Sequence, residues 1–307
     1  MYKGLGEYAL INDCNHYFLH FPLESDIVIL HIHGGPGQST SDFAYLQEEY
    51  FNYSNFVYYD QRGAGRTQLK NKSTPDEITT EQLLDDLDKI VDFISERYHT
   101  KKIILLGHSW GSILGTLYIQ KHPEKVIGYV GMGQVINIYR GEKRAYDRLG
   151  TMIKESDIKK YEKLRSAFSH NHFDVSRMGE LRGLESKYGF MNSMGSFIQK
   201  YIKSPYFKWS DLYILFTAYK PNKNLIDELN TYDAASVTNY KCPVFYLCGR
   251  LDWQVPTVLV QEYFETITAP QKGIYIIEDA THSSDIDKPK EFHKLLNEIV
   301  EIITNSK

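Results

Sequence analysis

The sequence predicts an α/β fold, a mostly parallel sheet flanked by helices, with a helical cap inserted before the last strands. Three observations predict it. Short apolar runs alternate with amphipathic segments through the first half of the chain. The middle loses that rhythm, and two further apolar runs near the end restore it. Parallel strands need crossover connections, and these supply helices on both faces of the sheet.

Residues 27–32 are a compact apolar run ending in glycines, the mark of a buried strand. Residues 56–59 are a second, ending at Asp60. Thr79 and Gln82 have the spacing of a helix-capping box. Leu83, Leu87, Ile90, Val91 and Ile94 then line one face of a helix. Residues 103–106 read as a third strand, 111–121 as a helix stopped by His122-Pro123, and 126–130 as another strand. From 137 to 233 the chain reads as helical, polar and aromatic, with no buried strand pattern. The expected organisation is therefore a core of residues 1–136 and 234–307 and a helical cap, or lid, of residues 137–233. Strands at 244–247 and 274–277 and a helix from Pro289 complete the core.

The chain has 307 residues, 42% hydrophobic and 24% charged, enough for one large core with an insertion. Its formal charge is −4, from 35 basic and 39 acidic side chains. That balance gives no long-range attraction to nucleic acid or to an anionic membrane, and no apolar run reaches spanning length. Three cysteines, Cys14, Cys242 and Cys248, include no Cys-x-x-Cys pair and read as buried small hydrophobes. Residues 1–10 carry no basic stretch followed by a long apolar one, so no secretory signal is read there. A soluble, cytoplasmic protein is expected.

Gly107-His108-Ser109-Trp110-Gly111 is a Gly-x-Ser-x-Gly motif between a strand and a helix. A serine on that sharp turn projects into a cleft as a nucleophile, with the helix N-terminus lending positive potential nearby. His33-Gly34-Gly35-Pro36-Gly37 follows the first strand. Acyl transfer puts negative charge on a carbonyl oxygen, which two backbone N–H donors stabilise. The expected oxyanion donors are Gly35 and Trp110. A serine hydroxyl needs a base, and the base needs a carboxylate, in the chain order Ser, Asp, His. Asp252 and His282 fit, each in a loop past the end of a late strand. Asp233, Asp279 and Asp285 compete with Asp252, but it alone directly follows an apolar strand and a glycine turn. His31 and His33 form a His-x-His pair with no further ligand cluster, so neither a metal nor a cofactor is expected.

With these residues in hand, the chain resembles the proline iminopeptidase-like family of α/β-hydrolases. The carrying motifs are residues 33–37, the run Asp60-Gln61-Arg62-Gly63-Ala64-Gly65-Arg66-Thr67, the Ser109 motif, Gly249-Arg250-Leu251-Asp252, and Thr281-His282-Ser283. The 60–67 run has no catalytic role that the sequence yields and reads as a structural turn beside the site. Two departures stand out. Thr281 occupies a position that is usually glycine in the family. No Trp-x-x-Trp-Glu marks the cap, whose acidic residues in the family hold the substrate's amino group. Glu180 and Glu185 are the nearest candidates, and both read as surface residues.

The resemblance implies an α/β-hydrolase fold and a serine hydrolase acting through an acyl-enzyme. Three readings of the substrate follow. One is aminopeptidase action on a short peptide, with an N-terminal proline in the family's case. Another is ester, amide or lactone hydrolysis of a small metabolite, for which the Tyr, Phe and Met residues of the cap would line an apolar pocket or form the cap's own core. The third is a ligand-binding sensor on the same fold. All three take a small molecule or short peptide as partner; none takes nucleic acid or membrane. The oligomeric state is left open.

Overall fold

The computed structural model describes residues 4–71, 77–192, 194–217 and 220–305. Residues 1–3, part of the N-terminal stretch read above, lie outside that set. The strands are β1 (Leu5–Ile11), β2 (Cys14–Phe21), β3 (Ile27–Ile32), β4 (Asn55–Tyr59), β5 (Lys102–His108), β6 (Gly128–Met132), the paired two-residue strands β7 (Phe168–Ser169) and β8 (His172–Phe173), β9 (Val244–Gly249) and β10 (Lys272–Ile277). Eight of them form one sheet in the order β1-β2-β4-β3-β5-β6-β9-β10. β1 pairs antiparallel with β2 and β2 antiparallel with β4; all later pairs are parallel.

Helices α1 (Gly65–Lys70), α2 (Thr80–Arg97) and α3 (Trp110–Lys121) belong to the first half. The Thr79 hydroxyl accepts the Gln82 N–H at 3.2 Å and caps α2. α2 buries Leu83, Leu87, Ile90, Val91 and Ile94, its apolar face. α3 is buried nearly all round, as a helix between sheet and neighbours should be. α10 (Thr257–Thr266), α11 (Ser284–Asp287) and α12 (Pro289–Asn305) follow the late strands. Two apolar clusters pack on the opposite faces of the sheet, one with α2 and α3, the other with α12.

Between β6 and β9 the chain leaves the sheet and forms α4 (Ile138–Gly150), α5 (Ile158–Leu164), α6 (Met178–Lys187), α7 (Met194–Ile202), α8 (Trp209–Thr217) and α9 (Lys223–Glu228). Tyr146, Leu149, Leu164, Phe173, Leu181 and Phe190 give this segment a small core of its own. Its ends meet: Asn137 bridges to Asp233, and Ala234 N–H donates to the Ile136 carbonyl at 2.8 Å. The three cysteines are free and buried; burial pushes the Cys14 thiol up to about 11 and Cys242 up to about 12. Among the described residues, no helix is long and apolar enough to cross a membrane.

Candidate active site

β5 runs into a tight turn, and Ser109 takes it with φ 52° and ψ −121°, a conformation non-glycine residues rarely adopt. The flanking glycines make this turn feasible. A Cβ at Gly107 would meet the Gly111 carbonyl oxygen at 2.7 Å. A Cβ at Gly111 would overlap the Ile32 carbonyl, so α3 begins hard against the end of β3. Ser109 N–H donates to the Met132 carbonyl at 3.0 Å, tying the turn to the end of β6. Ser112 reinforces this link: its hydroxyl donates to the Ser109 carbonyl at 2.6 Å and accepts Val135 N–H at 2.9 Å.

Asp252 and His282 come together from loops after β9 and β10. His282 Nδ1–H donates to Asp252 Oδ2 at 2.9 Å, and both side chains are buried. The second carboxylate oxygen, Oδ1, accepts Val255 N–H at 2.8 Å. A ring that donates from Nδ1 carries its lone pair on Nε2. That nitrogen is buried and, among the described residues, has no hydrogen-bond partner, so it is the basic atom on offer. Two contacts bring His282 to the serine turn. His108 Nε2–H donates to the His282 carbonyl at 3.2 Å. A Cβ at Gly133, next to the Met132 that holds Ser109, would lie 2.7 Å from His282 Cε1. Thr281, the departure from the family pattern, anchors this loop. Its N–H and hydroxyl both donate to Asp287 Oδ2, at 2.9 and 2.6 Å.

The 33–37 loop lies against the serine. A Cβ at Gly34 would be 3.1 Å from Ser109 Cβ. Gly35 has φ 118° and is exposed. Trp110 is the first residue of α3, so its N–H has no acceptor within the helix. His31 and His33 face different partners. His31 Nδ1 lies 3.4 Å from Thr40 Oγ1, while both ring nitrogens of His33 bond within the loops around Gly34 and Gln61. Among the described residues, no group of three or more His, Cys, Asp or Glu side chains is gathered as a metal site requires.

The acidic candidates divide. Glu180 is a surface residue, ion-paired to Arg177 at 2.6 Å. Glu185 is not: it is completely buried, contrary to the surface reading. An ion cluster inside the inserted segment is the reason. Arg182, one turn before Glu185 on α6, donates to Glu185 Oε2 at 2.5 Å and to both oxygens of Glu142 on α4. Glu142 was not singled out by sequence. It is also buried, within electrostatic reach of His282. Burial pushes the Glu142 carboxyl up, against the pull of the Arg182 guanidinium. Glu185 Oε1 is buried and, among the described residues, has no hydrogen-bond partner. Beside the cluster, Phe190 stacks on Trp253, the neighbour of Asp252, with ring centroids 5.4 Å apart.

Comparison with known proteins matches this architecture. The alpha/beta hydrolase fold family profile matches residues 27–289. "Probable aminopeptidase YbaC" of Bacillus subtilis (strain 168) is 26% identical over 303 residues, covering 88% of this chain and 87% of that protein. The proline iminopeptidase of Arabidopsis thaliana is 38% identical over 113 residues, 34% of this chain and 26% of that one. Among solved structures, proline iminopeptidase from Mycobacterium smegmatis superposes with a TM-score of 0.69 at 16% identity, covering 97% of this chain and 98% of its own. At that identity the likeness concerns the fold. With the family profile spanning the sheet, the serine turn and the late loops, the chain belongs to the alpha/beta hydrolase fold family and is a hydrolase of that fold.

Proposed function

We propose that this chain is a serine hydrolase that removes the N-terminal residue, proline in the simplest case, from a short peptide. The observation that carries the reading is the buried Glu142–Arg182–Glu185 cluster, within electrostatic reach of His282. A peptide's α-ammonium is a cation and leaves water only for a carboxylate. With both carboxyls ionised, they and the one guanidinium sum to one negative charge; burial opposes that state for Glu142, and an entering ammonium would favour it. Among the described residues, Glu185 Oε1 has an open acceptor position. The printed names of the aminopeptidase and iminopeptidase relatives agree with this reading.

In this mechanism Ser109 Oγ attacks the scissile carbonyl carbon and its proton passes to His282 Nε2. Asp252 holds the imidazole through Nδ1–H and stabilises the cation that forms. Gly35 and Trp110 N–H groups receive the oxyanion. Collapse breaks the C–N bond, and the amine leaves with the proton from His282. Water then attacks the acyl-enzyme, His282 again taking the proton; the bond to Ser109 Oγ breaks, His282 returns that proton to the serine oxygen, and the acid departs. No cofactor enters the scheme. Residues 137–233 act as a cap that limits substrate length. Three unpaired cysteines suit a reducing, cytoplasmic setting.

A second reading is ester or lactone hydrolysis, favoured by Arg182 already pairing with both glutamates. One assay separates the two: kcat/KM on a proline arylamide and on a short-chain aryl ester, with Ser109→Ala as control. The expected result is preference for the arylamide and loss of about 10⁴–10⁶ in turnover in the variant. Cleavage of the ester alone would replace the first reading with the second.

A further inference from the structure

Two N–H groups hold an oxyanion only if they point at it. The Gly35 N–H belongs to the same peptide plane as the Gly34 carbonyl, and in a trans peptide the two point opposite ways. The Gly34–Gly35 bond is trans, since the cis bond of this loop is Gly35–Pro36. Whatever holds the Gly34 oxygen therefore aims the Gly35 N–H. That oxygen lies 2.8 Å from His33 Nδ1. A carbonyl only accepts, so Nδ1 carries the ring proton. His33 Nε2 lies 2.9 Å from the Gln61 backbone N–H, which only donates, so Nε2 carries the lone pair. The two contacts demand the same neutral tautomer.

The Gln61 side chain completes the arrangement. Its Nε2–H donates to the His33 carbonyl at 2.8 Å, and its Oε1 accepts the Trp110 indole N–H at 3.1 Å. Gln61 thus grips both residues that flank the oxyanion position, His33 on one side and Trp110 on the other. The Asp60 carboxylate anchors the 60–67 turn by accepting Arg66 N–H and the Ser39 hydroxyl, at 2.6 and 2.5 Å.

We propose that Gln61 and His33 form a positioning relay for the oxyanion hole: Gln61 selects the His33 tautomer, and His33 Nδ1–H locks the Gly34–Gly35 peptide with its N–H toward the substrate. The inference rests on Gly35 and Trp110 being the oxyanion donors of the serine mechanism above. It gives the 60–67 motif the role that sequence alone did not yield. The loop needs an external lock because Gly34 and Gly35 have no Cβ to resist a flip, and a flipped peptide would turn the Gly34 carbonyl toward the developing anion. Burial holds the His33 ring down to about 4, which keeps it neutral at working pH.

The test uses an aryl ester and its thionoester, whose C=S sulfur is a poor acceptor for N–H donors. Wild type should cleave the oxygen ester far faster, because only that substrate uses the hole. His33→Leu should lose about 10²–10³ in kcat on the oxygen ester, the loss typical of one donor, with KM within about threefold. Its preference for oxygen over sulfur should shrink in proportion. His33→Asn, whose amide N–H replaces the Nδ1 donor, should restore most of both. Gln61→Leu keeps the backbone N–H that selects the His33 tautomer but loses the side-chain grip on the His33 carbonyl and the Trp110 indole, so it should show a smaller loss of the same kind, and it tests that half of the relay if His33→Leu does not fold. A His33→Leu or Gln61→Leu enzyme with lowered kcat but wild-type oxygen-over-sulfur preference would overturn the relay while leaving the serine mechanism intact. Wild type without that preference, or Ser109→Ala with undiminished turnover, would instead sink the underlying mechanism.

Discussion

Glu185 shows how far a single residue can be read from sequence. On α6 it sits among charged neighbours, and the surface is the default place for it. It is buried because Arg182, three residues earlier, turns inward with it and meets Glu142 from α4. Glu142 did leave a signal. Ile138, Glu142, Ala145 and Leu149 recur at helical spacing, so a carboxylate sits on the buried stripe of α4. The partner that makes this tolerable is 40 residues away and has no local trace. Ser109, Asp252 and His282 were legible for a different reason. What could be read was their placing: each stands at a fixed place relative to a strand end, in the chain order that a serine site on this fold would use. The His33 tautomer was not legible, because Gln61 reaches it across 28 residues. At this scale Glu185→Gln tests the amine anchor. Losing a charge-assisted contact worth about 1.5–3 kcal/mol should raise KM for aminoacyl arylamides roughly 10- to 100-fold. An uncharged ester should be turned over as before. Equal effects on both substrates, measured side by side, would remove Glu185 from the anchor.

Elements were most legible where one face is buried. α2 has a cap and a clean stripe, and its observed start at Thr80 follows the capping residue Thr79. The β1–β2 hairpin was missed. β2 is buried along almost its whole length and mixes His16 and His20 with aromatics, so it shows no alternation. β1 is an edge strand that exposes Leu5, Tyr8 and Leu10. Contacts between elements were illegible throughout, and those of Arg66 on α1 matter most. It donates to Asp42 at 2.6 Å, to Asp211 of α8 at 2.9 Å and to the Tyr206 carbonyl. Tyr206 in turn donates to Glu48, and Phe43 packs on Phe197 and Tyr201. This contact latches α7 and α8 to the core. Arg66→Ala would strand two buried carboxylates, and breaking a buried pair costs about 3–5 kcal/mol. Urea unfolding should read a loss of that size, whereas a change under 1 kcal/mol would show that the latch carries little stability.

For the molecule as a whole, burial of ionisable groups sets the response to acid. Burial lowers His16, His20, His31, His33, His108 and His293, with His20 and His33 down to about 4 and His31 and His293 to about 3. In the unfolded chain these rings take up protons near pH 6.5; in the native state they stay neutral. The unfolded state then binds more protons, so stability falls as pH drops from about 6.5 toward 4. Burial also raises Asp42, Asp60, Glu142 and Asp285, with Asp60 and Asp285 up to about 6. These groups act the other way, since the native state binds their protons first. Six histidines against four carboxyls leave a net loss on the acid side. Calorimetry at pH 7, 6 and 5 should show Tm declining stepwise, and a Tm that holds or rises would contradict that balance.

The junction where Asn137 meets Asp233 bears on how such a protein changes over generations. A segment whose two ends are stapled side by side is, for the register of the sheet beneath, a closed loop, constrained in content only where it touches the core, as at Arg66. Insertions, deletions and wholesale rewriting between those ends leave the strand register untouched, and an added length costs only a slowly growing entropy. On the proposed reading, the residues that carry the chemistry and the segment that would choose the substrate are thereby inherited as separable modules. A lineage can keep Ser109, Asp252 and His282 and trade one diet for another.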